Sequence, residues 1–244
     1  MQISGFTIHS LTTVDSTNNY IASPEIQPKL QHKTVIMAEL QTAGKGQFGN
    51  NWESEKGKNL LISIFLKPNL IVKDQFLLNC AAALAIKDTV SYFLPVSPTI
   101  KWPNDIYVND AKIAGILIEN SIYGSRINRS IVGIGININQ TKFETGNYNS
   151  FKLVNNKEND INRVLEYLLY CFDGYYKRII DPDSKLQNEF DNYLYRKNEM
   201  SNFKTKDEDQ FKAKIKGTSP EGKLILTLEN GREKSFNHKE IFFI

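Results

Sequence analysis

Two short segments of this chain bring together residue types that could do chemistry on an anion. Gly44-Lys-Gly-Gln-Phe-Gly49 sets three glycines around one lysine, so backbone N–H groups and an ammonium can approach the same negative charge. The segment formally fits the G-x-G-x-x-G pattern, but a dinucleotide fold needs a helix starting inside the glycines and an acid about 20 residues on. Here the chain runs on as Asn50-Asn-Trp-Glu-Ser-Glu-Lys-Gly57, with no helical periodicity and no acid near residue 69. A Walker loop would need Lys and then Ser or Thr after Gly49, where Asn50 and Asn51 stand. What remains is a glycine-rich anion-binding loop, or a plain surface loop. Lys101-Trp-Pro-Asn-Asp105 places a lysine, a proline turn and a carboxylate within five residues. That is a candidate polar site at a strand end; the alternative has Trp102 in the core and Asn104-Asp105 as a turn. Gly133 and Gly135 leave the same choice between a site and close strand packing.

Other chemistries find little support. Cys80 and Cys171 stand far apart in apolar surroundings, and His9, His32 and His238 show no ligand spacing, so neither a disulfide framework nor a zinc site is expected. Thirty Lys plus Arg against 27 Asp plus Glu leave +3 without a basic stripe, which argues against a nucleic-acid binder. The first 20 residues lack a basic segment followed by an apolar one, and the uncharged run 76–86 is too short to span a bilayer. A cytoplasmic protein with no membrane contact is expected.

The elements that must position these residues follow from periodicity. Residues 3–11, 34–39 and 59–66 read as strands, the last apolar enough to be buried on both faces. Asp15, Ser16 and Thr17 offer N-cap side chains to a short helix through Ala22, and Asp74 caps a longer helix bearing Phe76, Leu77, Cys80, Leu84 and Val90. Strands 99–102, 106–108, 113–119 and 131–138 follow, with a turn at Asn109-Asp110. Residues 160–180, opened by Asp160, and 182–195 read as helices. From about 207 short strands at 211–216, 224–228 and 234–236 alternate with turns, too few for an independent core. The expectation is an α+β chain with a mostly antiparallel sheet, divided as 1–200 and 207–244.

In order and spacing, Asp15-Ser-Thr-Asn18, the stretch from Gln41 to Trp52, Lys101-Trp-Pro-Asn-Asp105, Lys112-Ile-Ala-Gly-Ile-Leu-Ile-Glu119 and Gly133-Ile-Gly-Ile-Asn137 resemble the biotin protein ligases. The resemblance is strong over residues 8–140 and rests only on helical character over 141–206. It implies a catalytic domain similar to class II aminoacyl-tRNA synthetases, with a mixed sheet and packed helices, and a small C-terminal Src-homology-3-like barrel. It also implies two steps: biotin and ATP give biotinyl-5′-AMP, and a lysine of a biotin carboxyl carrier domain of a biotin-dependent carboxylase then takes the biotinyl group. ATP with Mg²⁺ is the implied nucleotide, and no nucleic acid is expected as a partner, because the motifs begin by residue 15 and leave no room before them for a DNA-binding domain.

Carried over by motif, Ser16, Thr17, Asn18, Gln41 and Gly115 fall on biotin-binding positions. Lys45, Gly46, Gln47, Trp52, Lys101, Asn104, Lys112 and Asn137 fall on adenylate positions, with Lys101 and Lys45 as the catalytic charges and Asp105 orienting Lys101 or holding the metal. Joining a carboxylate to an α-phosphate brings two anions together, and this is why fixed positive charge is needed there. The loop departs from many relatives in carrying Lys45, Gln47, Phe48 and Asn50 where they carry arginines. Ligation of lipoate or octanoate, and carrier binding without catalysis, are the rival readings.

Overall fold

A computed structural model describes residues 2–144, 146–181 and 184–244. The chain opens with β1 (Gln2–Ile3), β2 (Phe6–Val14) and the one-and-a-half-turn helix α1 (Thr17–Ala22). β3 (Thr34–Gln41) lies parallel to β2, and β4 (Leu60–Leu66) runs antiparallel to β3. Every residue of β4 is buried, as its unbroken apolar run requires of a central strand. A short β5 (Leu70–Ile71) leads into the long helix α2 (Gln75–Phe93). β6 (Thr99–Lys101), β7 (Asp105–Val108), β8 (Ala111–Tyr123) and β9 (Arg126–Ile136) then form an antiparallel meander. Asn109 and Asp110 take positive φ between β7 and β8, the conformation a two-residue hairpin turn needs and these residues tolerate. The sheet order among the described residues is β1-β2-β3-β4-β9-β8-β7-β6, with β5 paired to β9.

α3 (Phe151–Asn155), α4 (Ile161–Arg178) and α5 (Leu186–Asn192) follow, and Asp160 caps α4 by accepting from Asn162 N and Arg163 N. β10 (Met200–Thr205), β11 (Gln210–Thr218), β12 (Leu224–Leu228), β13 (Glu233–Phe236) and β14 (Ile241–Phe243) make a second, antiparallel sheet in the order β13-β12-β11-β10-β14. The fold is α+β, as expected. α2 and α4 cover one face of the large sheet, and α1 covers part of the other, over Ile36, Phe65 and Ile131. One continuous apolar core runs from Phe6 and α2 through to Phe203, Ile215 and Phe236 of the small sheet.

Several boundaries differ from the sequence reading. Ser16 and Asp74 occupy the N-cap positions of α1 and α2 without a side-chain capping bond. α2 is buried nearly all round, so its segment Val72–Phe93 is long and apolar enough to cross a bilayer although it packs inside the protein. β8 and β9 extend through polar residues 120–129 beyond the apolar pattern. The small sheet begins at Met200, before the pattern changes near 207, because β10 and β14 alternate too briefly to stand out. The helix read at 182–195 is the shorter α5; Pro182 and Asp183 lie outside the described residues.

Candidate active site

Strand register builds a small-residue floor on the α1 face of the large sheet. Asp105 pairs with Gly115, Gly115 with Gly135, and Gly135 with Leu61, while the next row on that face sets Leu117, Gly133 and Ser63 side by side. The missing side chains are occupied space. A Cβ on Gly135 would stand 2.5 Å from Trp52 Cε2, and one on Gly133 would stand 2.5 Å from Asn18 Oδ1. The indole and the amide therefore lie directly on the backbone, which gives both glycines a role in the site.

Above this floor a cavity is lined by Ser16, Thr17, Asn18, Gln41, Lys45, Gly46, Gln47 and Trp52 from the α1 side and by Asn104, Asp105, Lys112 and Gly115 from the meander. At one end the polar groups are held rigidly. Thr17 N and Oγ1 both donate to Gln41 Oε1, at 2.7 and 3.0 Å, and Ser63 Oγ lies 2.7 Å from Thr17 Oγ1 and 2.5 Å from Asn18 Oδ1. Asn18 Nδ2 donates to Glu119 Oε2 at 2.6 Å. Ser63 and Glu119 were not among the sequence candidates; the signal for Ser63 was a lone hydroxyl inside the apolar run of β4.

The glycine loop is a miniature hairpin. Trp52 N donates to Gly44 O at 2.9 Å and Gly46 N to Asn50 O at 2.7 Å, and Lys45 bridges to Asn51. Lys45 Nζ donates to Asn19 Oδ1 at 2.6 Å, and Asn19 in turn donates to Asp15, which holds that carboxyl below its ordinary range. The loop is thereby tied to the start of α1.

A second cavity continues from the first and shares Gly46, Gln47, Trp52, Asn104, Asp105 and Lys112 with it. Its further walls include Glu53, Asn137, Phe143, Tyr148 and His238. Two buried polar atoms in this region, Trp52 Nε1 and Asn137 Oδ1, have no hydrogen-bond partner. A donor and an acceptor left unsatisfied in a cavity wall cost free energy unless a ligand completes them.

Lys112 stands at the junction of the two cavities, 2.8 Å from Asp105 Oδ1, with its ammonium 5.5 Å from the Trp52 ring. A β-bulge puts it there. Strict alternation back from Gly115 would put Ile113 on the pocket face and Lys112 in the core, but the register shifts at Ile106/Tyr107, and Ile113 and Ala114 both enter the core. Lys112 is thus returned to the pocket face, opposite Tyr107.

Lys101, expected together with Lys45 to supply the catalytic charge, lines neither cavity. It starts opposite Asp105 in the β6–β7 pair, but its Nζ donates to Tyr107 Oη at 3.2 Å and lies 4.7 Å from the Tyr107 ring and 5.3 Å from that of Phe243. Burial lowers its pKa and pushes the Tyr107 hydroxyl up to about 12. The aromatic surroundings, partly supplied by the small sheet, hold Lys101 as an inter-sheet tie. Asp105 makes its direct ion pair with Lys112 and acts on its cross-strand neighbour Lys101 through its charge alone, and no cluster of three or more His, Cys, Asp or Glu among the described residues could hold a metal ion. Asn104 clamps the turn to β8, its Nδ2 donating to Ile116 O and its own carbonyl accepting from Ile116 N. The remaining candidates, Ser16 to Asn18, Gln41, Lys45 to Gln47, Trp52, Lys112, Gly115 and Asn137, gather around the two cavities.

With this geometry in place, the relatives are informative. Residues 11–137 match the Biotin/lipoate A/B protein ligase family. The bifunctional ligase/repressor BirA of Bacillus spizizenii is 27% identical over 210 residues, which cover 84% of this chain and 64% of that protein. The biotin--[acetyl-CoA-carboxylase] ligase of Paracoccus denitrificans is 35% identical over 132 residues, covering 52% of this chain and 53% of that protein. The chain thus spans about half to two thirds of the length of these curated relatives. The solved biotin protein ligase of Aquifex aeolicus, in complex with biotin and ATP, superposes with a TM-score of 0.79 over 98% of both chains at 24% identity. The family match covers more than half of the sequence, including the loop, the β6–β7 turn and the glycine floor, and so the chain belongs to the biotin/lipoate A/B protein ligase family.

Proposed function

We propose that this chain is an ATP-dependent biotin ligase, forming biotinyl-5′-AMP and then passing the biotinyl group to a lysine of a biotin carboxyl carrier domain. The observation that carries this reading is Lys112, fixed by Asp105 where a polar-ended cavity meets a second cavity with an unsatisfied donor and acceptor. The bicyclic ring lies against the Trp52 indole, which itself covers Gly115 and Gly135, with its ureido group toward Ser16, Thr17, Asn18 and Gln41. The biotin carboxylate and the α-phosphate meet at Lys112, whose charge offsets the negative charge that accumulates as the carboxylate attacks phosphorus and pyrophosphate leaves. Lys45 and the backbone of Gly46 and Gln47 close over the phosphates, and the adenine amino group donates to Asn137 Oδ1 beside Trp52. Mg²⁺ enters bound to the triphosphate, as part of the nucleotide substrate, since it is ordinarily held largely by phosphates and water.

Biotin is favoured over lipoate by the rigid array Thr17–Gln41–Ser63–Asn18. A ureido ring carries N–H donors and a carbonyl acceptor that can add to such an array, whereas a dithiolane has neither. The test is pyrophosphate release on mixing the protein with MgATP and either biotin or lipoate. Release with biotin alone supports the proposal, release with lipoate alone reassigns the substrate, and release with neither supports a carrier-binding role without catalysis.

A further inference from the structure

A groove runs between the two sheets, with Phe76 and Trp102 on one wall and Gly222, Lys223 and Asn237 on the other. At its inner end lie Gln47 and His238, the two residues that line both this groove and the nucleotide-side cavity. His238 belongs to the loop between β13 and β14 and is the single residue of the small sheet in the wall of that cavity, among the described residues. The motif tryptophan fixes it from two directions. Trp102 meets the imidazole edge-on, with ring centroids 5.6 Å apart at 72°, and its Nε1 donates to Gly222 O at 2.9 Å, pinning the neighbouring loop of the same sheet.

We infer that His238 is the proton acceptor for the second chemical step, and that the acceptor lysine reaches it through the inter-sheet groove. The inference rests on the ligase reading above. The lysine ε-ammonium first gives a proton to water. The free amine then attacks the carbonyl carbon of the biotinyl-adenylate through its lone pair, forming the C–N bond. The second N–H proton passes to the imidazole, and AMP departs with the electron pair of the broken C–O bond; the imidazolium later returns its proton to water. A base that touches the attacking nitrogen must sit between the entry route and the anhydride, and among the residues lining both spaces Gln47 cannot take a proton while His238 can.

The imidazole is suited to the task because burial and the adjacent Lys239 lower its pKa, leaving it neutral and ready to accept at neutral pH. Asp105 opposes this by raising it. The other charged or titratable side chains around it are Lys112, Glu53 and Tyr148 in the cavity and Glu221 and Lys223 in the groove.

The test separates the two steps. Purified protein is given biotin and MgATP for adenylation, and preformed biotinyl-5′-AMP with a biotin carboxyl carrier domain for single-turnover transfer. His238→Gln should slow transfer from preformed biotinyl-5′-AMP about 100-fold, in the usual range for loss of a general base, and by at least tenfold more than any loss of adenylation that follows from its place in the wall of the nucleotide-side cavity. Hydroxylamine, which is already unprotonated at neutral pH, should cleave the adenylate at the same rate on both proteins. The wild-type transfer rate should lose an additional limb as pH falls through a value below 6.5, and His238→Gln should lack it. Imidazole added to His238→Ala should restore part of the transfer rate, which a purely structural role would not allow. Transfer by His238→Gln within about threefold of wild type, or an equal fall in the hydroxylamine reaction, overturns the inference. Wild-type protein that forms no adenylate refutes the ligase reading itself, and this inference falls with it.

Discussion

Exchanging the two lysines of the meander separates the arrangement seen in the structure from the assignment that motif order alone suggests. Lys112→Met removes the ammonium at the cavity junction and leaves Asp105, about one-quarter exposed, without its partner. Loss of one preorganised charge at a developing anion costs about 3 to 4 kcal/mol, or about 10²- to 10³-fold in rate. Asp105 is then left facing the incoming phosphate, and two such negative charges at about 5 Å in a partly solvated site repel by roughly 3 kcal/mol at an effective dielectric near 20, with or without Lys112. Adenylate formation by Lys112→Met should therefore fall by about 10²- to 10³-fold, and adding Asp105→Asn should recover part of the loss by removing that standing repulsion. Lys101→Met should adenylate within about threefold of wild type, because Lys101 lines neither cavity. Its cost falls on stability: losing partly buried cation–π contacts worth about 1 to 2 kcal/mol lowers Tm by about 2 to 8 °C in a chain of this size. Biotin-dependent exchange of labelled pyrophosphate into ATP, with calorimetry alongside, measures both quantities. A Lys101→Met protein that is folded but at least 100-fold slower, beside a Lys112→Met protein of normal rate, would refute the reasoning.

Three further substitutions probe the floor and the loop. Gly135→Ala forces the Trp52 indole off the sheet, so the KM for ATP should rise about tenfold, the equivalent of about 1.4 kcal/mol of the strain that overpacking brings, with a shift in tryptophan emission; an unchanged KM and spectrum would show that the close contact is immaterial. Ser63→Ala removes the hydroxyl that meets both Thr17 and Asn18, and should cost about 1 to 3 kcal/mol in urea unfolding together with a higher KM for biotin; a normal KM would remove the array from biotin recognition. Gln47→Arg adds a charge-assisted bond to the bound anion and should slow biotinyl-adenylate dissociation in stopped flow by about 10- to 150-fold, and an off-rate equal to or faster than wild type would place the clasp elsewhere.

Much of this molecule was legible in the order of its residues. The strands 34–39 and 59–66, the helix capped by Asp160 and the hairpin at Asn109-Asp110 follow from local periodicity and turn chemistry, which act over a few residues and survive any tertiary context. The ordered motifs likewise gathered nearly all of the candidate residues around one pair of cavities. Three things lay beyond local pattern. Ser63 and Glu119 join Asn18 only because β4 and β8 flank β9 in the sheet, a pairing between segments up to 101 residues apart in sequence. His238 reaches the nucleotide-side cavity only because the small sheet docks through Trp102. That Lys112 lines both cavities and Lys101 neither follows from a single β-bulge and from the aromatic side chains of Tyr107 and Phe243. Sequence fixes which residues alternate along a strand, but a bulge reverses that alternation, and a flexible lysine follows whichever partners the assembled sheets place within its reach.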